Sequence, residues 1–249
     1  MTYLQFHLVF LLPPIVALFL LTRRRLRGTA LGASRVVTAF AAIVVLALAY
    51  TTPWDNALVA RGVWGYPDGR VLFTLGYVPI EEYAFFVLQP ILTGLALLVL
   101  AGPGPLAPRA RPAPCAALWR VLGASGFLAL GGVGAALLTT QAGTYLGMIL
   151  AWAGPVGALQ WAVGGHELAA RGRSWLPAVA VSTLYLWAAD RAALALGIWW
   201  ISPELTTGVH LLGLPVEEAT FFLVTNLMVV QGLVLFLAMV PRREWRWAY

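Results

Sequence analysis

Charged residues are scarce in this sequence, and lysine is missing altogether. Only 10% of the 249 residues are charged, whereas 61% are hydrophobic, and the mean hydropathy is +0.83. So little polar surface excludes a soluble domain of this size. The absence of lysine excludes a retinal Schiff base, which needs a lysine amine, and with it a seven-helix photoreceptor or light-driven pump.

Signatures of metals, redox cofactors and nucleic acids are also missing. Cys115 is the single cysteine, so there is no internal disulfide and no Cys-x-x-Cys or His-x-x-x-His spacing for a metal. The nearest approach to a dinucleotide fingerprint, at residues 131–134, lies in an apolar run and lacks the third glycine. We therefore expect no metal site and no cofactor. The net charge of +6 does not indicate nucleic acid, because the arginines cluster in short loops between apolar runs.

Long apolar runs dominate the sequence. Their lengths are those of helices that cross a bilayer core of about 30 Å, rather than of barrel strands. The sequence therefore predicts an all-α integral membrane protein with seven transmembrane helices. The predicted spans are residues 3–21, 35–53, 79–100, 117–138, 144–163, 175–196 and 213–238.

Arginine is distributed unevenly between the two sides of these spans. Thirteen of the sixteen arginines lie in loops on one side, and eight of the ten acidic residues lie towards the other. The arginine-rich side is expected to be cytoplasmic. We therefore expect a multi-pass protein of the cell membrane with its N-terminus outside and its C-terminus inside.

The chain also repeats internally. Asp55, Gly62 and Trp64 recur at a constant offset of 135 residues as Asp190, Gly197 and Trp199. Thr2-Tyr3-Leu4 with Pro14 likewise matches Thr144-Tyr145-Leu146 with Pro155. Each copy holds three spans and span 117–138 has no counterpart, so the repeats are expected to be parallel. The predicted domains are a first repeat at 1–102, a loop and linker helix at 103–142, and a second repeat at 143–249.

Each repeat carries a Pro-x-Glu-Glu box at the start of its third span. Adjacent carboxylates that enter a bilayer are costly, which favours a function, although acids in a first helical turn also suit the helix dipole. Aromatic residues follow each acid at i+4 spacing. A carboxylic acid beside a carboxylate could donate one proton and accept another. Aromatic rings that face them could stabilise the cation formed between these two steps. The residues are Glu81, Glu82, Phe85 and Phe86 in the first copy, and Glu217, Glu218, Phe221 and Phe222 in the second.

Asp55 and Asp190 lie near helix C-termini, where the dipole disfavours an acid, so they are further candidates for function. The alternative for Asp190 is pairing with Arg191. Trp64 and Trp199 are candidate substrate contacts, with interfacial anchoring as the alternative. The other polar residues inside the apolar runs are expected to form interhelical hydrogen bonds (Gln89, Asn226, Gln231) or to be isolated histidines that are hydrogen-bonded or solvated (His7, His166, His210).

With its two Pro-x-Glu-Glu boxes and duplicated three-span units, the chain resembles the membrane-integral, two-subunit-type lycopene cyclases, in the form where both halves are fused. The resemblance covers nearly the whole chain except the linker span. It implies acid–base cyclisation of the ψ ends of lycopene to β-ionone rings without a redox cofactor, with the acid role on Glu81, Glu82, Glu217 and Glu218. Some relatives make ε rings, use C50 carotenoids or hydrate related double bonds. The expected partners are lycopene or a related carotenoid and the lipid bilayer.

A membrane transporter with intramembrane acid sites is the rival from another class, because duplicated three-span units and buried acids suit it as well. The aromatic residues that follow each acid favour the cyclase. On this basis, replacing Glu81 or Glu217 by glutamine should lower turnover at least ~100-fold, the lower scale for losing a general acid or base.

Overall fold

The computed structural model describes residues 1–26, 32–102, 104–107 and 115–239. In these ranges the chain forms seven long helices, each of which falls on one of the predicted spans. Helix α1 (Tyr3–Phe6), a π-helical stretch (His7–Leu11) and α2 (Leu12–Leu26) together form the first. The others are α3 (Ala33–Ala60), α4 (Ile80–Ala101), α5 (Ala116–Leu137), α6 (Thr144–Ala170), α7 (Gly172–Ala195) and α8 (Val216–Met239).

The prediction of an all-α membrane fold is confirmed. Among the described residues, all of these helices except α7 are long and apolar enough to span a bilayer. Helix α7 has 24 residues but falls below that mark. Helix α3 continues seven residues beyond the predicted end at position 53, because Trp54, Asp55 and Leu58 are buried inside the bundle rather than exposed at its surface. Of the arginines used to predict orientation, Arg27, Arg109, Arg111, Arg242, Arg243 and Arg246 lie outside the described residues.

Matching turns place both Glu-Glu boxes at the same end of the bundle. Gly62 follows α3 and Gly197 follows α7, with φ of +72° and +59°, values that suit glycine at a helix end. Each segment then forms a short hairpin: β2 (Thr74–Leu75) with β3 (Val78–Pro79), and β5 (His210–Leu211) with β6 (Leu214–Pro215). Helices α4 and α8 begin directly after these hairpins, with the glutamates in their first turns. We call this the acid end.

An approximate two-fold axis relates the repeats. Strand β1 (Trp64–Gly65) pairs antiparallel with β4 (Trp200–Ile201), and Gly65 lies opposite Trp200. With the repeat offset of 135, these two residues occupy equivalent positions, so their pair lies on the axis. Backbone contacts agree: Tyr3 N donates to Arg70 O (2.8 Å), and Tyr145 N donates to the matching Leu205 O (3.0 Å). The predicted parallel arrangement follows, since both acid boxes lie at one end.

The π-helical stretch marks the main difference between the first helices of the two repeats. Tyr3 and Tyr145 match at an offset of 142 residues, but Pro14 and Pro155 match at 141, so the first repeat holds one extra residue. A π-helical turn accommodates such an insertion and is frequent at functional sites. His7 begins this stretch, is 3% exposed, and its Nε2 has no hydrogen-bond partner. The expectation that His7 is hydrogen-bonded or solvated thus fails for Nε2 and stays a prediction for Nδ1.

A polar cluster joins the repeats at mid-bundle. Gln89 Nε2 (2.7 Å) and Thr93 Oγ1 (2.6 Å) both donate to Asn226 Oδ1, and Asn226 Nδ2 donates to Thr183 Oγ1 (3.1 Å). The interhelical role predicted for Gln89 and Asn226 is thus confirmed. Gln231 Oε1, in contrast, is buried without a hydrogen-bond partner.

Helix α5, the predicted linker, packs at the edge of the bundle against α6. Glycines line this contact on both helices, and a Cβ at Gly154 would lie 2.7 Å from Gly131 Cα. Such close approach of backbones is typical of small residues between membrane helices. At the end opposite the acid end, Arg25 Nη1 donates to Val99 O (2.5 Å) and Arg35 Nη2 to Leu237 O (2.8 Å). Cations there suit the C-terminal ends of α4 and α8.

Candidate active site

Both repeats contribute to a single cavity at the acid end. Its volume is about 50 Å³, below the usual range of about 300–1,000 Å³ for small-molecule sites. Matching residues of the two halves face it, so the two sets of acids predicted from the repeats form one site rather than two. The lining residues are Tyr3, Phe6, Asp55, Trp64 and Phe85 from the first repeat, and Tyr145, Leu186, Asp190, Trp199, Glu218, Phe221 and Phe222 from the second.

The second repeat brings two carboxyl groups close together. The side chains of Asp190 and Glu218 lie near enough to interact. Glu218 Oε1 also accepts from the Tyr145 hydroxyl at 2.6 Å, and Asp190 Oδ1 accepts from Trp199 Nε1 at 3.2 Å. Two neighbouring buried carboxyl groups cannot easily ionise together, which favours one proton shared between them. Both residues line the cavity wall.

In the first repeat, Tyr66 holds the second glutamate of the box. The Tyr66 hydroxyl donates a hydrogen bond to Glu82 Oε1, and the Tyr3 hydroxyl lies nearby. Tyr66 lies in the loop before α4, where burial and the neighbouring Glu82 raise its pKa well above the usual value. Tyr66 therefore keeps its proton and remains a donor. The position equivalent to Tyr66 in the second repeat is Ile201, so the two halves differ here.

Asp55 lines the cavity from the first repeat, as Asp190 does from the second. It is 2% exposed, and its Oδ2 is buried without a hydrogen-bond partner. Asp190 Oδ2 is likewise unpartnered. Across the part of the chain that the structure describes, no ion pair joins Asp190 to Arg191, so the pairing considered from the sequence is not observed. Each half thus presents an aspartate with one open oxygen to the same space.

The first glutamate of each box contacts the loops, not the cavity. Glu81 Oε1 accepts from the backbone N–H of Leu72 at 2.9 Å. Glu217 Oε1 accepts from the N–H (2.7 Å) and the hydroxyl (2.8 Å) of Thr207. Both carboxyl groups are buried. Each therefore ties its loop to the start of the helix, which separates the roles of the two adjacent glutamates.

Aromatic rings form most of the remaining wall. Of the predicted contacts, Trp64, Trp199, Phe85, Phe221 and Phe222 line the cavity, whereas Phe86 is buried outside it with its ring 6.0 Å from that of Tyr83. Rings from the two halves meet edge to face, with Phe85 and Phe222 6.2 Å apart.

Three tyrosines of the site were missed in the sequence. Tyr3 and Tyr145 belong to the repeated Thr-Tyr-Leu segment, so their recurrence was a usable signal. Tyr66 has no matching tyrosine and offered none. Within the described ranges, no group of three or more His, Cys, Asp or Glu side chains is placed to hold a metal ion.

The site can be set against known proteins. The lycopene cyclase family model matches residues 1–100 and 144–236. The chain is 47% identical over 245 residues to a lycopene beta-cyclase of Halobacterium salinarum, covering 98% of this chain and 99% of that protein. It is 38% identical over 242 residues to a bifunctional lycopene cyclase/phytoene synthase of Phaeosphaeria nodorum, covering 92% of this chain and 40% of that longer protein. No solved structure gives a comparable match. The chain belongs to the lycopene cyclase family.

Proposed function

We propose that this protein is a lycopene β-cyclase of carotenoid biosynthesis, which closes the ψ ends of lycopene into β-ionone rings by acid–base catalysis. The observation that supports this most directly is the shared cavity, in which neighbouring carboxyl groups and aromatic rings line one space. The family and the two lycopene beta-cyclases of Halobacterium salinarum support the same activity.

The Asp190–Glu218 pair is the proposed proton donor. It holds a proton next to the cavity, and a positioned carboxylic acid typically contributes about 10²–10⁴-fold to a proton-transfer step. The proton adds to C2 of the terminal alkene, which leaves a tertiary cation at C1. The Tyr145 hydroxyl orients Glu218, and Trp199 Nε1 orients Asp190. The remaining carboxylate negative charge stays beside the new cation.

Ring closure and proton loss complete the reaction. The C5=C6 double bond attacks C1, so a C1–C6 bond forms and the cation moves to C5. The proposed base that removes the proton from C6 is Asp55, which lines the cavity and whose Oδ2 has no hydrogen-bond partner. One proton enters and one leaves, so the product is an isomer of the substrate and the overall reaction consumes no oxidant or reductant.

The aromatic wall suits a cationic intermediate. The faces of Trp, Tyr and Phe rings attract a cation by about 0.5–2 kcal/mol each, more when water is excluded. Phe85, Phe221 and Phe222 line the same cavity as the two aspartates. They stabilise the cation without offering a nucleophile that could trap it.

Expression in a lycopene-producing host tests this function. We expect the pigment to change from lycopene to a bicyclic β-ring carotenoid. The purified protein in lipid should show the same conversion with a chelator present and without a redox cofactor. Pigments would be separated and identified by chromatography and absorption spectra. Unchanged lycopene at good protein level would favour the transporter. An ε-ring product would assign the protein to a related cyclase, and activity restored by one metal after chelation would contradict the cofactor-independent mechanism.

We further propose that the acid end faces outward across the cell membrane and that the C-terminus is cytoplasmic. The motivation is the positive-inside distribution of arginine along the sequence. A reporter that is active only in the cytoplasm, fused after Tyr249, should be active, and the same reporter at the N-terminus should be silent. The reverse pattern would overturn this orientation.

A further inference from the structure

A groove opens on the outer surface of the bundle beside the first repeat. Helices α2 and α7 form its walls and α4 forms its floor. Its lining is almost entirely apolar. At the edge of the groove nearer the acid end, the Tyr185 hydroxyl donates a hydrogen bond to Phe10 O at 2.6 Å and links the two walls. Representative lining residues are Ala17, Leu18, Leu92, Ala96, Val181 and Tyr185.

The groove continues from the cavity towards the opposite end of the bundle. On α7, Tyr185 of the groove is followed directly by Leu186 of the cavity. On α4, Leu92 and Leu100 of the groove follow Phe85 of the cavity by 7 and 15 residues. At ~1.5 Å rise per residue the groove extends from about 10 to about 22 Å beyond the cavity. The groove therefore begins next to the cavity and extends away from it along the membrane normal.

We propose that this groove holds the polyene chain of the carotenoid while one ψ end reacts in the cavity. The proposal rests on the proposed function and adds a binding site for the part of the substrate that does not react. A long, stiff hydrocarbon whose end reaches the acids must extend for most of the ~30 Å bilayer core. The groove supplies an apolar surface that extends along the membrane normal through most of the bilayer core. Its open side lets the polyene enter from the lipid.

Within residues 144–239, the positions equivalent to the groove are closed. Ala158, the counterpart of Ala17, is 6% exposed, whereas Ala17 is exposed. Gly232 is the counterpart of Ala96, and a Cβ at this position would lie 2.7 Å from Ile43 Cδ1 and 3.4 Å from Gln160 Nε2. Gln160 Nε2 also donates to Met228 O at 2.8 Å, which joins the facing helices. The cavity, although nearly symmetric, therefore receives its substrate only through the groove beside the first repeat.

Graded enlargement of Ala17 tests this proposal. Ala17 is exposed on the groove wall, so larger side chains should fit the fold while they occupy the groove. Ala41 is also exposed, on α3 outside the groove, and provides the matched control. Alanine would be replaced by leucine and by tryptophan at each position. The turnover of lycopene would be measured in lipid, with thermal unfolding as the check on folding.

We expect Ala17→Trp to lower kcat/KM at least ~10-fold, which corresponds to about 1.4 kcal/mol, and Ala17→Leu to lower it less. Both Ala41 variants should match the wild type. Activity of Ala17→Trp within about twofold of wild type would show that the substrate does not need the groove, and it would overturn the proposal. Parallel losses at Ala41 would show a general effect of bulk and would also overturn the proposal. If Ala17→Trp does not fold, Ala17→Leu decides. Failure of the proposed function is distinct, because the wild type itself would then make no cyclic carotenoid.

Discussion

Replacing Glu218 by glutamine should lower the turnover of lycopene at least ~100-fold, the lower scale for removing a general acid. Glutamine keeps the size of the side chain and can still accept from the Tyr145 hydroxyl, but it cannot share an acidic proton with Asp190. Asp190→Asn should have a similar effect. The double variant should be little worse than either, because residues that act as a unit are not additive.

Glu217→Gln is the matched control, one residue away on the same helix. Its amide oxygen can still accept from the Thr207 N–H, so we expect a cost of about 1 kcal/mol in stability and little loss of turnover. Glu217 and Glu81 both contact loops. We therefore expect the large loss of turnover at the second glutamate of each box rather than at the first, as the sequence had suggested. Rates would be compared at equal protein level. Full activity of Glu218→Gln would rule out the carboxyl pair as the donor.

A monocyclic carotenoid should accumulate first in a time course and should exchange with the surrounding pool. The two repeats form one cavity and the groove leads away from it on one side, so only one end of the substrate can react in each binding event. The half-finished molecule must leave, turn end for end and bind again. We therefore expect two separate turnovers for each lycopene molecule.

Isotopically labelled lycopene with added unlabelled monocyclic carotenoid tests this order. The label in the bicyclic product should be diluted in proportion to the added pool, as measured by mass spectrometry. A pool of unlabelled bicyclic carotenoid is the control, since it should not change the labelling of the monocyclic intermediate. Bicyclic product that keeps the full label would show that both ends react in one binding event, and the single-entry site would be wrong.

The helices were predictable because hydropathy and length alone determine them, and the repeat was visible in recurring residues. The roles of adjacent glutamates were not. Glu217 and Glu218 differ by about 100° around a helix, so which one faces the cavity depends on how α8 is rotated within the bundle. That rotation follows from packing of distant segments, such as the loop that places Thr207 over Glu217.

The merging of two predicted acid sets into one site was also beyond the sequence. Parallel repeats require both boxes to lie at one end, but the distance between them is set by contacts at the axis. The short pairing of β1 with β4 brings the two loops together, and the cavity forms beneath them. Tyr66 illustrates the same limit, because it contacts Glu82 from a loop whose path the helix pattern does not describe.

The Gly65–Trp200 pair at the axis determines which half can join with which. A Cβ on Gly65 would lie 2.6 Å from the Trp200 ring, so the tryptophan fills space that only glycine leaves open. In a dimer of identical halves the two positions would have to carry the same residue. Two tryptophans would collide there, and two glycines would leave a gap. Joining the halves in one chain permits this large-to-small match, so each half is shaped to prefer the other over a copy of itself.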